Sequence, residues 1–222
     1  MKRVVLATGN AGKLREFREL LAAAGFDAEV VPQGALGVPS PEETGTTFEA
    51  NALLKARHAA RLTGLPAIAD DSGLEVDALG GRPGVRSARY AGPGARDEDN
   101  NALLLRELQG VEPARRSARY RCAIACVLHA DEPAPIVVDG RWEGRIALAR
   151  RGAGGFGYDP LFLAGAAAPL DGPDLTAAEL AAEHKHRVSH RGHALRALLA
   201  ALRARDALDL AAGPPVAGTP AP

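Results

Sequence analysis

The stretch RVVLATGNAGKLREFRELLAAAG, residues 3–25, decides how the rest of the chain is read. RVVLAT is a short β-branched run bounded by glycine, and it predicts a buried strand. Leu14, Phe17, Leu20 and Leu21 then recur at steps of three and four up to Gly25, which predicts a helix with a stop signal. Between them lies ATGNAGKL, residues 7–14. Its glycines and lysine invite comparison with the P-loop G-x-x-x-x-G-K-[ST], where backbone N–H groups and the lysine hold phosphates and a hydroxyl binds magnesium. The match fails twice: Ala7 stands where glycine is needed, and Leu14 where the hydroxyl belongs. What survives is the physics of a helix start. Thr8, Gly9, Asn10, Ala11 and Gly12 lead into unsatisfied N–H groups at the positive end of a helix dipole, and Lys13 adds a mobile cation. The same residues also make an ordinary tight strand-to-helix turn, and taken alone they leave both readings open.

Working outward, the pattern repeats. TTFEANALLKARHAARLTG predicts a second helix capped by Thr46 or Thr47 and ended by Gly64. A second short strand, residues 65–69, is expected to end on Asp70 and Asp71. A third helix is expected over 100–108, and further strands over 118–129 and 136–140, with RWEGRIALA a candidate continuation of the last. A last helix should begin near Thr176 and break around His190, while residues 211–222 lack periodicity and read as a disordered tail. Residues 1–210 are expected to form a single domain. Strands alternating with helices, followed by adjacent strands, predict an α/β fold with a mixed sheet.

Composition narrows the function classes. The 222 residues contain 27 Lys plus Arg and 27 Asp plus Glu, so no net field favours a nucleic acid polymer or an anionic membrane, and an anionic ligand needs a local site. Cys122 and Cys126 share one face of a predicted strand but lie about 13 Å apart at ~3.3 Å per residue, too far for a disulfide. A reducing, cytoplasmic location is the expectation, reinforced by the lack of a long apolar run or a signal-like start.

Three other segments carry chemistry. In ADDSG, adjacent aspartates on an extended chain point to opposite faces, so one can face a cleft with a divalent cation while the other anchors the backbone; Asp-Asp-Ser-Gly also makes ordinary turns. Glu42 and Glu43 are further acids in a predicted loop. In GGFGYDPLF, glycines allow close backbone approach and Phe156 and Tyr158 offer faces for a nucleobase, or else plug a core. EHKHRVSHRGHAL holds four of the six histidines; His186 and His190 have i, i+4 spacing, but Lys185, Arg187 and Arg191 suit phosphate and purine oxygens better than a cation.

In this order, LATGNAGKLREF, EETGTTFEANALLKARHAA, AIADDSGLEVDALGGRPGVRSARYAG, GGFGYDPLF and SHRG resemble the inosine/xanthosine triphosphate pyrophosphatase family over residues 4–202. The resemblance implies an elongated mixed sheet flanked by helices, two lobes around a cleft, a homodimer and Mg2+ (Mn2+ as a substitute). It implies cleavage of ITP, dITP and XTP between the α and β phosphates. By the same resemblance, Thr8, Gly9, Asn10, Ala11, Gly12 and Lys13 form the phosphate turn. Asp71 is general base and metal ligand, Glu42 is a second metal-linked acid, and Ser72, Phe156, Gly157, Tyr158, Asp159, Lys185, His190 and Arg191 contact substrate. The chain departs from the pattern at Ala50, where many relatives carry glutamate; here Glu49 precedes it, displaced by about 100° on a helix. A Maf-like pyrophosphatase acting on other bases and a non-catalytic nucleotide sensor are the rival expectations.

Overall fold

The structure, a computed structural model, describes residues 3–165 and 174–212. Strand β1 (Arg3–Leu6) is followed by helix α1 (Ala11–Ala23), strand β2 (Glu29–Pro32), helix α2 (Phe48–Thr63) and strand β3 (Ala67–Val76). Helix α3 (Asp97–Glu107), strands β4 (Ser117–Val127), β5 (Ile136–Ile146) and β6 (Phe162–Leu163), and helices α4 (Ala182–Val188) and α5 (His190–Ala212) complete the chain. They build one mixed sheet in the order β2-β1-β3-β4-β5-β6. β1 is parallel to both β2 and β3, whereas the β3–β4, β4–β5 and β5–β6 pairs are antiparallel.

Side chains alternate along the buried strands and so feed two layers. Val4, Leu6, Ile68, Cys122, Ile124 and Cys126 pack with Phe17, Leu20 and Leu21 of α1 and with Ala194, Leu195 and Leu198 of α5. Val5, Ala67, Ala69, Ala123, Ala125 and Val127 face Phe48, Ala52, Ala56, Ala59 and Ala60 of α2 on the other side. Methyl groups thus meet methyl groups there, which accounts for an Ala-rich chain with few aromatics. A third cluster sits at the far end of β3 and β4, where Leu74, Val76, Tyr120, Trp142, Tyr158, Leu161 and Phe162 join Leu104 and Leu108. Both cysteines are free and buried.

This topology fixes where a ligand can sit. Parallel strands need crossover connections, and α1 and α2 supply them on opposite faces of the sheet with β1 between β2 and β3. The strand order therefore reverses at β1. A crevice opens at such a switch point beyond the carboxyl end of the strand, and residues 7–12 begin there.

Four expectations are corrected. Asp70 and Asp71 do not end a strand: β3 runs on to Val76, paired with β4 from Ala67↔Val127 to Val76↔Ala118, and pairing along the whole edge overrides the local turn signal. Thr176 does not start a helix but bridges Leu163, and α4 begins at Ala182; the break falls at Ser189, as the sequence implied. The third helix starts three residues earlier, at Asp97, where acids favour a first turn. Of the expected tail, residues 211–212 belong to α5, and 213–222 lie outside the described residues.

Candidate active site

The turn after β1 is held by its own side chains. Asn10 caps α1, its Oδ1 accepting from the Lys13 N–H at 3.0 Å, and the Asn10 N–H donates to Thr8 Oγ1 at 3.2 Å. Gly12 sits against the Phe156 ring, and a Cβ there would crowd it. The Lys13 ammonium reaches back 3.0 Å to Asp70 Oδ2.

Because β3 extends past Ile68, the partner of Leu6, it carries Asp70 and Asp71 beyond the end of β1 and onto opposite faces. Asp70, fully buried, turns toward α1 and α5, where Ser72 Oγ donates at 3.1 Å and Arg191 Nη2 lies at 3.5 Å. Burial alone would raise its pKa; Lys13, Arg191 and Lys55 outweigh it and hold Asp70 well below the usual carboxylate range. Asp71 turns toward α2. Its Oδ1 accepts from Lys55 Nζ at 2.9 Å and its Oδ2 from Asn51 Nδ2 at 3.1 Å. Burial pushes the Asp71 pKa up, against Lys55 and Lys13, with Glu43 adding to the rise. Lys55 also donates to Glu43 Oε1 at 2.8 Å, and Arg89 holds the other Glu43 oxygen at 3.0 Å. Glu42, the sequence candidate, is exposed; Glu43 is the acid that shares an ammonium with Asp71.

Across the same crevice, Lys185 at the end of α4 donates to Glu16 (2.8 Å) and Asp159 (2.7 Å) and lies 5.4 Å from the Phe156 ring centroid. Burial opposes its charge, but Asp159 and Glu16 raise its pKa and keep it an ammonium. Arg191 pairs with Glu16, donates to Ser72 Oγ at 3.0 Å, and stands 5.7 Å from the Phe156 centroid. His190 is buried, and burial together with Arg191 and Lys185 drives its pKa well down, so the imidazole is neutral. Asp159 anchors the glycine loop by accepting from the Phe156 N–H at 2.9 Å, and the Tyr158 hydroxyl donates to the Ser87 carbonyl at 2.9 Å.

Asn10, Lys13, Ser72, Phe156, Lys185 and Arg191 all line one cavity. Thr8, Gly9, Ala11 and Gly12 belong to the turn at its edge, and Asp71 lies on the opposite face of β3 with Lys55. Three buried polar atoms at the site lack a hydrogen-bond partner among the described residues: Asp70 Oδ1, His190 Nδ1 and Arg191 Nε. Glu16, Asn51 and Lys55 were missed in the sequence. Asn51 and Lys55 stand four apart on the alanine face of α2, and Glu16 adjoins Phe17 on the buried face of α1; a polar residue interrupting an apolar stripe was the available signal. Glu49 is turned away to Arg121 Nη2 at 2.8 Å, which accounts for the displaced acid beside Ala50.

An anion-receptive helix start set against strand-borne aspartates and buried lysines, at the switch point of a mixed sheet, defines the class: an α/β protein built to hold an anionic ligand beside acids. The Ham1 family model matches residues 4–201, and the chain belongs to that family. A dITP/XTP pyrophosphatase of Methylococcus capsulatus is 58% identical over 203 residues, covering 91% of this chain and 97% of the relative. A solved HAM1 protein from Coxiella burnetii is 45% identical with TM-score 0.81, over 91% of this chain and 99% of that one. A Mycobacterium abscessus structure described as a nucleoside-triphosphatase / dITP/XTP pyrophosphatase is 44% identical with TM-score 0.67, over 89% and 98%.

Proposed function

We propose that this chain hydrolyses the non-standard purine triphosphates ITP, dITP and XTP to the nucleoside monophosphate and pyrophosphate. The observation that carries the reading is Lys13, at the start of α1, paired with Asp70 on one face of β3, while the next residue, Asp71, has a raised pKa on the other face and still feels the Lys13 charge. Family membership and the names of the relatives support the substrate class.

In this reading the triphosphate lies on the N–H groups after Asn10, neutralised by Lys13 and Lys185. Asp71, held by Asn51 and Lys55, orients and deprotonates the attacking water. Asp71 with Glu43, or with Glu42 on the same loop, would hold Mg2+ or Mn2+. The donor set fits: the hard carboxylate oxygens of Asp71 and Glu43, gathered around one lysine, would suit such an ion. When bound, the metal would supply charge neutralisation at the phosphates. The purine stacks on Phe156, and its 6-oxygen meets His190, whose neutral ring offers one donor and one acceptor, and the Arg191 Nε–H, which has no partner among the described residues. An adenine amino group would face the Arg191 donor instead. A homodimer in the cytoplasm completes the proposal, and no helix among the described residues is long and apolar enough to cross a membrane.

The test is product analysis with ITP, ATP, GTP and pyrimidine triphosphates, with and without Mg2+. Pyrophosphate from ITP, dependent on the metal and far slower from ATP, is expected. Orthophosphate as product, a pyrimidine preference or intact ITP would contradict the proposal.

A further inference from the structure

Tyr120 has no assigned part in the reaction, yet it lines the cavity and touches both His190 and Asp159. It stands on β4 at a position facing the third core cluster, buried to 7% exposure. Its ring lies nearly parallel to the His190 imidazole, with centroids 4.6 Å apart and planes 12° from each other. Phe162 closes on the ring at 4.6 Å and Trp142 at 6.2 Å, so the phenol cannot tilt without moving two packed aromatics. The Tyr120 hydroxyl donates to Asp159 Oδ1 at 3.2 Å, and Asp159 holds the Phe156 N–H and Lys185 through its other oxygen.

His190 needs such a support. Its Nδ1 is buried with no partner among the described residues, so no hydrogen bond at that atom fixes the ring plane. A neutral imidazole directs its donor and its acceptor within the ring plane, so it reads a purine edge only if that plane is set. Offset stacking on a rigid neighbour supplies that constraint.

Resting on the nucleotide reading above, we propose that Tyr120 is a positioning residue for purine discrimination: its ring fixes the plane of His190, and through it the choice between a 6-oxo and a 6-amino purine. The ring carries this role, and the hydroxyl secondarily steadies the Phe156 loop. A tyrosine that served only the core would affect how much enzyme folds, not which purine the folded enzyme prefers.

The experiment compares the full chain with Mg2+ as wild type, Tyr120→Phe, Tyr120→Leu and Tyr120→Met, reading kcat and KM for ITP and ATP on the same preparation. Poorly folded molecules lower both rates equally, so the ratio of the two kcat/KM values is independent of the active fraction and reports discrimination by the folded enzyme. Tyr120→Phe keeps the stack and should retain the wild-type ratio within about twofold, whereas Leu and Met should reduce it ~10-fold or more, mainly through a higher KM for ITP. An unchanged ratio in both Leu and Met overturns the assignment, as does a Phe variant that loses discrimination as far as Leu does. Wild-type protein that releases no pyrophosphate from ITP overturns the parent reading instead, and the two failures are told apart by that control.

Discussion

Asp70 and Asp71 are chemically identical neighbours separated only by the pleat of a strand, and that pleat gives them different work. Asp70 is sunk among cations and stays ionised, an anchor for Lys13 and Arg191. Asp71 meets one ammonium and one amide beside a second acid, and burial raises its pKa toward the range where a carboxylate accepts a proton from water more readily. Asp71→Asn keeps the shape and removes the base. Turnover of ITP should fall by about 100- to 10,000-fold while binding of the nucleotide largely remains, as read by steady-state rates beside equilibrium binding. Full activity in that variant would remove Asp71 from the mechanism.

At the scale of elements, the site depends on close approaches that glycine alone permits. Gly140 on β5 lies under the start of α5, where a Cβ would overlap the His190 carbonyl oxygen and the Ala194 nitrogen. The helix that carries His190 and Arg191 is seated on the sheet through that gap. Gly140→Ala should force α5 outward, costing ~1–3 kcal/mol as overpacking does, and should raise KM for ITP as the two side chains shift. Thermal unfolding together with steady-state kinetics checks it, and a variant with unchanged melting temperature and KM would show that α5 is not seated there. Gly25 and Gly64 ended their helices as read because those stop signals are local: Gly64 adopts the left-handed conformation at the C-cap of α2. β3 was misjudged because its length comes from pairing with β4 across the forty intervening residues 77–116, against a local Asp-Asp-Ser-Gly turn signal.

For the whole molecule, the readable part of the sequence was the part with a short period. Strand, turn and helix at the start, the capped second helix and the opposite facing of the two aspartates follow from spacings of two and three to four residues. Strand order does not, since the return of β3 to lie beside β1 rather than β2 is a choice of packing partner made far along the chain. The same limit applied to the site. Lys13 and the glycine loop announced themselves by composition, whereas Lys55, Asn51 and Glu16 acquire meaning only when α2 and α1 bring them to Asp71, Lys185 and Arg191.

The account turns on where the polyphosphate rests. A crystal structure of the chain with Mg2+ and a non-hydrolysable ITP analogue measures that directly. Phosphate oxygens within hydrogen-bonding distance of the backbone N–H groups that follow Asn10 and of Lys13 Nζ, with Asp71 facing the metal, are the predicted result. A triphosphate bound elsewhere, out of reach of both Lys13 and Asp71, would contradict it.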